Sequence, residues 1–173
     1  VHMSVAQLLI SKQFPQIQGL NSTFLYHNEG YPRCQDRSEP IIQIAYNGQH
    51  HWVLITNIAV AEEKRENTMA VFDSLVRLDP TGNRLAMVTP TITWQISQLL
   101  KQDDPPDLSR FYTAKILKCQ QQRDGHNCGM FAIANAVSLA FGLDPRQIKY
   151  TGSMRLEFLD MLKKGEVRPF QHE

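Results

Sequence analysis

The chain has 173 residues, 42% of them hydrophobic and 20% charged, the composition of a globular protein able to bury a real core. Eighteen Lys and Arg nearly cancel 17 Asp and Glu, for a net charge of +1, so no strong field draws nucleic acid or an anionic membrane. No apolar run approaches the ~20 residues of a membrane helix, and the start lacks a basic run leading into an apolar segment, which argues against a secretory signal. Three cysteines, Cys34, Cys119 and Cys128, are an odd number in a chain of this size and argue against a disulfide scaffold. The expectation is one domain over residues 1–173, monomeric and intracellular (cytoplasm or nucleus), with Val1-His2-Met3 a remnant of cloning.

Ser4 precedes "VAQLLISKQF", whose apolar residues recur at helical spacing; Ser4 reads as the N-cap and Pro15 as the stop. Residues 16–40 are polar and broken by Gly19, Gly30, Pro32 and Pro40, an irregular excursion. Three β-rich runs follow, at 41–46, 51–58 and 69–75, the last two joined by the charged "AEEKREN" as a solvated hairpin connection. "TPTITWQISQLLKQ" sets Ile92, Ile96, Leu99 and Leu100 on one helical face behind Pro90, with Trp94 as a packing residue. "DDPPDLS" is a loop, and "FYTAKILKCQ" a fourth strand. "CGMFAIANAVSLAFGL" is a helix apolar almost all round, hence buried. "SMRLEFLDMLKK" is a last helix stopped by Gly165. The order gives an α+β domain whose sheet packs against a central buried helix.

"QQRDGHNCGMFAIANAV" places Cys128 at the first turn of that central helix. Free backbone N–H groups and the positive end of the helix dipole meet there, which favours a thiolate and suits an oxyanion forming on an attacked carbonyl. Gly129 keeps the approach open, and Gly125 lets the entering chain turn. A nucleophilic thiol needs a base, and the base needs an orienting group. His51 begins one strand and Asp73 ends the next; paired as a hairpin, those strands bring both residues to one edge of the sheet.

"HW" opening a strand, "FDS" closing the next and "Q-x5-C-G-x-F" opening a helix together resemble the ubiquitin-like-protease family. These are the SUMO/sentrin-specific proteases and their deubiquitinating and deneddylating relatives, with adenovirus-type proteases as distant kin. The resemblance covers residues 41–142 by motif, in the order His, Asp, Gln, Cys. The head and tail of the chain also resemble a subgroup of such domains in animal genomes, often transposon-linked. The resemblance implies a papain-like α+β fold, with a mixed or antiparallel sheet on a central helix that carries the cysteine. It implies a cysteine protease cutting after the C-terminal Gly-Gly of ubiquitin or a ubiquitin-like modifier (SUMO or Nedd-type), without metal or cofactor.

Carried over residue by residue, Cys128 is the nucleophile, His51 the base that later protonates the leaving amine, and Asp73 the orienting carboxylate. The base is the residue directly before the tryptophan, which selects His51 over His50. Gln122 donates its side-chain amide to the oxyanion, and Trp52 walls the narrow channel for the Gly-Gly tail. Two departures stand out. Asn127 occupies the place where the SUMO-specific branch has Asp, and the branch's N-terminal "W-L-N-D" segment has only "GLNSTFLY" as an analogue. Segments 16–40, "AEEKREN" and "QDDPPDLSR" are the candidates for choosing the modifier. Rival readings are a metal site at His126, Cys128 and His50 or His51, which lacks close-spaced ligand pairs, an inactive modifier-binding module, and an adenovirus-type protease of ordinary proteins.

Overall fold

The run 41–46 is apolar at nearly every position, and it becomes a strand with only its last residue less than fully buried, as expected where both faces of a sheet are covered. The structure, a computed structural model, describes residues 2–25, 30–36, 38–58, 68–75, 77–78, 84–85, 88–100 and 113–173. Helix α1 (His2–Gln13) leads into β1 (Gln18–Gly19), β2 (Ile41–Tyr46), β3 (Trp52–Thr56) and β4 (Thr68–Phe72). A short ribbon of β5 (Arg77–Leu78) and β6 (Arg84–Leu85) precedes α2 (Pro90–Leu99), and β7 (Thr113–Leu117), α3 (Cys128–Ala140) and α4 (Met154–Lys164) complete the order.

The main sheet runs β1-β2-β3-β4-β7. Its centre is antiparallel and its two outer pairs, β1 with β2 and β4 with β7, are parallel. Period-2 alternation sorts the side chains between two cores. Ile42, Ile44, Leu54, Ala70, Phe72 and Leu117 join α1, α3 and α4 on one side. On the other, Ile41, Val53, Ile55, Met69 and Val71 meet Ile92, Ile96 and Leu99 of α2. Helix α3 lies across β2 and β3, buried from Met130 through Leu139, as its all-round apolar sequence requires.

Several expectations need correction. Ser4 does not cap α1, which already includes His2 and Met3; its hydroxyl instead shares a hydrogen bond with Thr23 Oγ1 at 2.8 Å and accepts the Thr23 N–H. The 16–40 excursion contains β1, whose two residues are too few to show a period. Trp94 is 40% exposed, because the buried stripe of α2 passes through Ile92, Gln95, Ile96 and Leu99. Leu156 and Leu159 of α4 are also exposed, while Phe158 and Met161 face the core. Gly165 ends α4 with φ +72, as expected. The segments "AEEKREN" and "DDPPDLS" lie outside the described residues.

Candidate active site

His51 is delivered by the hairpin between β2 and β3, where Tyr46 pairs with Trp52. Asn47 closes the loop: its N–H donates to the His51 carbonyl at 2.9 Å, and its Oδ1 accepts the N–H groups of Gln49 and His51. Helix α2 braces this loop from the side. Thr89 Oγ1 donates to the Asn47 carbonyl at 2.8 Å, and Gln95 Nε2 to the Tyr46 carbonyl at 2.7 Å. Gly48, at φ +84, passes so close that an added Cβ would come within 2.6 Å of Thr91 Oγ1. His50 takes a left-handed φ of +59 and stays exposed, whereas His51 turns inward and is 6% exposed.

Asp73 follows β4 directly. The antiparallel register pairing Leu54 with Phe72 brings the end of β4 beside the start of β3. His51 Nε2 and Asp73 Oδ1 are 2.6 Å apart. The same carboxylate oxygen accepts the Leu75 N–H at 2.8 Å. The Asp73 carbonyl receives Gln121 Nε2 at 2.9 Å and the Cys119 thiol at 3.4 Å, so backbone and side chain are both held.

Cys128 begins α3 and is 7% exposed. With Nε2 bonded to Asp73, His51 also lies close enough to Cys128 for each to shift the other's proton affinity. The backbone N–H groups of Trp52 and Gly129 add to the influences that favour the thiolate. Burial, the largest single influence on Cys128, opposes ionisation, but the His51 hydrogen bond and charge and the two N–H groups together hold the thiol below its ordinary pKa. Burial likewise disfavours charge on His51, yet hydrogen bonds to Asp73 and Cys128, with their negative charges, raise it to about 9. Both shifts run toward the charged forms, a thiolate beside an imidazolium. Cys119 is the opposite case, since burial pushes its thiol up to about 12.

Gln122 is nearly buried and tied to Ser74. Its N–H donates to the Ser74 carbonyl at 2.7 Å, and its Oε1 accepts Ser74 Oγ at 2.8 Å. Its Nε2 donates to the Asp124 carbonyl. The turn after it is made by Asp124, whose Oδ1 accepts the N–H groups of His126 and Asn127. Gly125 is therefore not the turn-maker expected; a Cβ there would meet nothing within 4 Å. Gly129 is crowded instead. An added Cβ would stand 3.2 Å from Met3 Cε and Sδ and 3.8 Å from Trp52 Cδ1. Trp52 stacks at a tilt on Tyr46, ring centroids 5.3 Å apart. Met3 thus joins Trp52 beside Cys128.

The structure bonds His51 to Asp73 and sets Cys128 within interaction range of His51; Trp52 lies against Gly129, and Gln122 is held by Ser74. Ser74 and Met3 were not anticipated. The "DS" dipeptide carries no rule that would link Ser74 to a glutamine 48 residues away, and Met3 stood in a segment expected to be foreign. A thiolate held by an imidazolium, itself oriented by a carboxylate, can attack an acyl carbon and protonate the departing group. Among the described residues, no three His, Cys, Asp or Glu side chains gather at a metal-sized site, and no helix is long and apolar enough to cross a membrane.

A family model described as the Ulp1 protease family, C-terminal catalytic domain, matches residues 39–164. No curated protein matches the sequence. Among solved structures, the chain is similar to the C-terminal Ulp1 protease domain in complex with Smt3, the yeast ortholog of SUMO, at 16% identity and a TM-score of 0.55. It is similar to the SUMO protease Ulp1 with its catalytic cysteine oxidized to a sulfonic acid, at 16% identity and a TM-score of 0.56. Each match covers 83% of this chain and 66% of the other. The Chaetomium thermophilum Ulp1-like SUMO protease catalytic domain is 18% identical, with a TM-score of 0.50 over 95% of this chain and 66% of that one. The chain thus spans just under two thirds of these three chains. At such identities the likeness speaks for the fold, which is the papain-like α+β arrangement expected from the sequence.

Proposed function

The chain belongs to the Ulp1 protease family, a family of cysteine peptidases, and on that footing we propose that it hydrolyses the peptide or isopeptide bond after the C-terminal Gly-Gly of a ubiquitin-like modifier, SUMO-type first. The observation that carries this reading is His51, bonded to Asp73 at 2.6 Å through Nε2 and near enough to Cys128 for each to favour the other's charged form. The SUMO preference rests on the similar structures, which are SUMO proteases by their descriptions.

In this reading the Cys128 thiolate attacks the carbonyl carbon of the terminal glycine, and the electron pair of the C=O moves onto oxygen. The Cys128 N–H and Gln122 Nε2 receive that oxyanion; Gln122 must turn its amide from the Asp124 carbonyl to do so. As the C–N bond breaks, the His51 imidazolium gives its proton to the leaving amine, and a thioester remains. Neutral His51 then removes a proton from water as it attacks the thioester, the thiolate departs, and the imidazolium–thiolate pair is restored. Asp73 holds Nε2–H, which fixes the ring and leaves the other nitrogen toward the sulfur.

Trp52, which with Met3 stands against Gly129, is the residue we assign to the wall of a channel for a substrate tail without Cβ atoms. Residues 1–173 act as one catalytic domain, working as a monomer. The three cysteines are free, which supports work in a reducing compartment, the cytoplasm or nucleus. The test is hydrolysis of fluorogenic C-terminal conjugates of SUMO, Nedd-type modifier and ubiquitin. Turnover of the SUMO conjugate well above the others is expected; turnover of none, with cleavage of Gly-containing peptides from ordinary proteins, would move the reading to an adenovirus-type protease.

A further inference from the structure

Asn127 stands at the N-cap of α3, where an asparagine ordinarily accepts a hydrogen bond from the backbone N–H two or three residues on. Here it makes no such bond, and its backbone sits at φ −101, ψ 5 rather than in the extended region that caps adopt. Both ends of its side-chain amide are engaged elsewhere. Oδ1, the atom that would cap, accepts Arg155 Nε at 3.0 Å, and Nδ2 donates to Asp124 Oδ2 at 2.6 Å. Arg155 Nη2 also donates to the His126 carbonyl at 3.1 Å. One planar guanidinium from the first turn of α4 therefore grips two neighbouring acceptors, a geometry that Lys cannot reproduce.

The N–H groups that such a cap would take belong to Gly129 and Met130, the second and third residues of α3. Gly129 follows Cys128 in the first turn of α3, and its N–H is one of the influences that hold the Cys128 thiol below its ordinary pKa. A capping Asn127 would compete with the sulfur for that N–H. We infer that Arg155 is a positioning residue: together with Asp124 it holds the Asn127 amide away from α3, so that the first N–H groups of the helix remain available to the nucleophile. The inference rests on the reading of Cys128 as that nucleophile. Arg155 acts on the helix start through its bonds to Asn127 Oδ1 and the His126 carbonyl. It also ties α4 to the 122–127 loop, because Asp124 accepts Gln122 Nε2 on its carbonyl and anchors the turn with its carboxylate.

The test compares the parent chain with Arg155→Met, which keeps the apolar stem of an exposed side chain, and with the double variant Arg155→Met/Asn127→Ala. The pH dependence of iodoacetamide alkylation at Cys128 is measured alongside kcat and KM, with thermal melting as the check on folding. Arg155→Met is expected to raise the alkylation pKa and lower kcat about tenfold, with KM changed less than about twofold. The double variant, whose residue 127 has no oxygen to cap with, is expected to return the pKa toward the parent. Should Arg155→Met fail to fold, Arg155→Lys keeps the charge without the fork and is expected to shift the pKa in the same direction. An unchanged pKa in a folded Arg155 variant, or a double variant shifted as far as the single, would overturn the inference alone. An ordinary thiol pKa in the parent would overturn the reading of Cys128 and the inference with it.

Discussion

Ser74 holds Gln122 at two points, its carbonyl taking the Gln122 N–H at 2.7 Å while its hydroxyl donates to Gln122 Oε1 at 2.8 Å. Because Ser74 follows Asp73 directly, one short segment after β4 positions both the residue that orients His51 and the residue proposed for the oxyanion. Holding Oε1 confines the amide to limited turns, so Nε2 can leave the Asp124 carbonyl while Gln122 keeps its place. Gln122→Ala is expected to lower kcat by about 10²- to 10³-fold with little change in modifier binding. Ser74→Ala is expected to cost about tenfold in kcat, and the double variant no more than Gln122→Ala alone, because the two act as one unit. Additive losses in steady-state kinetics would show that Ser74 acts elsewhere.

Asp73 accepts both His51 Nε2 and the Leu75 N–H on one oxygen. Asp73→Asn keeps the shape but offers a neutral amide in place of the carboxylate that stabilises the imidazolium. It is expected to reduce kcat by roughly 10³-fold or more, with melting behaviour little altered. Activity near the parental level would remove Asp73 from the mechanism.

The paired shifts set a pH window with a definite sign. His51 keeps its proton up to about pH 9, and Cys128 loses its proton below the ordinary thiol value. Acid therefore removes activity by protonating the thiolate, and alkali removes it by deprotonating the imidazolium that must protonate the leaving amine. A bell-shaped kcat/KM profile is expected, with its alkaline limb near 9. Alkylation needs only the thiolate, so at neutral pH iodoacetamide is expected to label Cys128 and spare Cys119, whose thiol is pushed up to about 12. A rate that simply rises through the ordinary thiol range would contradict the ion pair.

Much of this was legible along the chain, and what was not is instructive. Strand β2, helix α3 and the Gly165 stop follow from local pattern, because burial on both faces or all round leaves an unbroken apolar run. Residue type alone nominated His51, Asp73 and Cys128 as a candidate set, and Gln122 came only from the family resemblance. Their geometry was not legible. Ser4 looked like a cap because its neighbours are helical, but a hydroxyl partner in Thr23 is visible only in three dimensions. Arg155 lies 28 residues from Asn127, and no periodicity couples positions so far apart. Gly125 and Gly129 flank the same cysteine, yet only the packing of Met3 and Trp52 tells which of them is crowded.

Gly129→Ala separates stability from function. Alanine in the first turn of a helix is expected to be neutral or stabilising by up to about 1 kcal/mol, provided the flexible end of Met3 yields at its 3.2 Å contact. The new methyl group stands against Met3 and Trp52, in the channel proposed for the tail, and kcat/KM for a Gly-Gly substrate is expected to fall about tenfold or more. Thermal melting and kinetics on one preparation check both signs. An active Gly129→Ala would show that the substrate tail runs elsewhere.

The central claim is that Cys128 attacks the carbonyl at the end of a ubiquitin-like modifier. The direct test is incubation with C-terminally activated probes of SUMO, Nedd-type modifier and ubiquitin, with Cys128→Ala as the control, read as a mass shift. A covalent adduct with the SUMO probe, absent in Cys128→Ala, is the predicted result. No adduct with any probe, from a protein whose Cys128 alkylates rapidly, would contradict it.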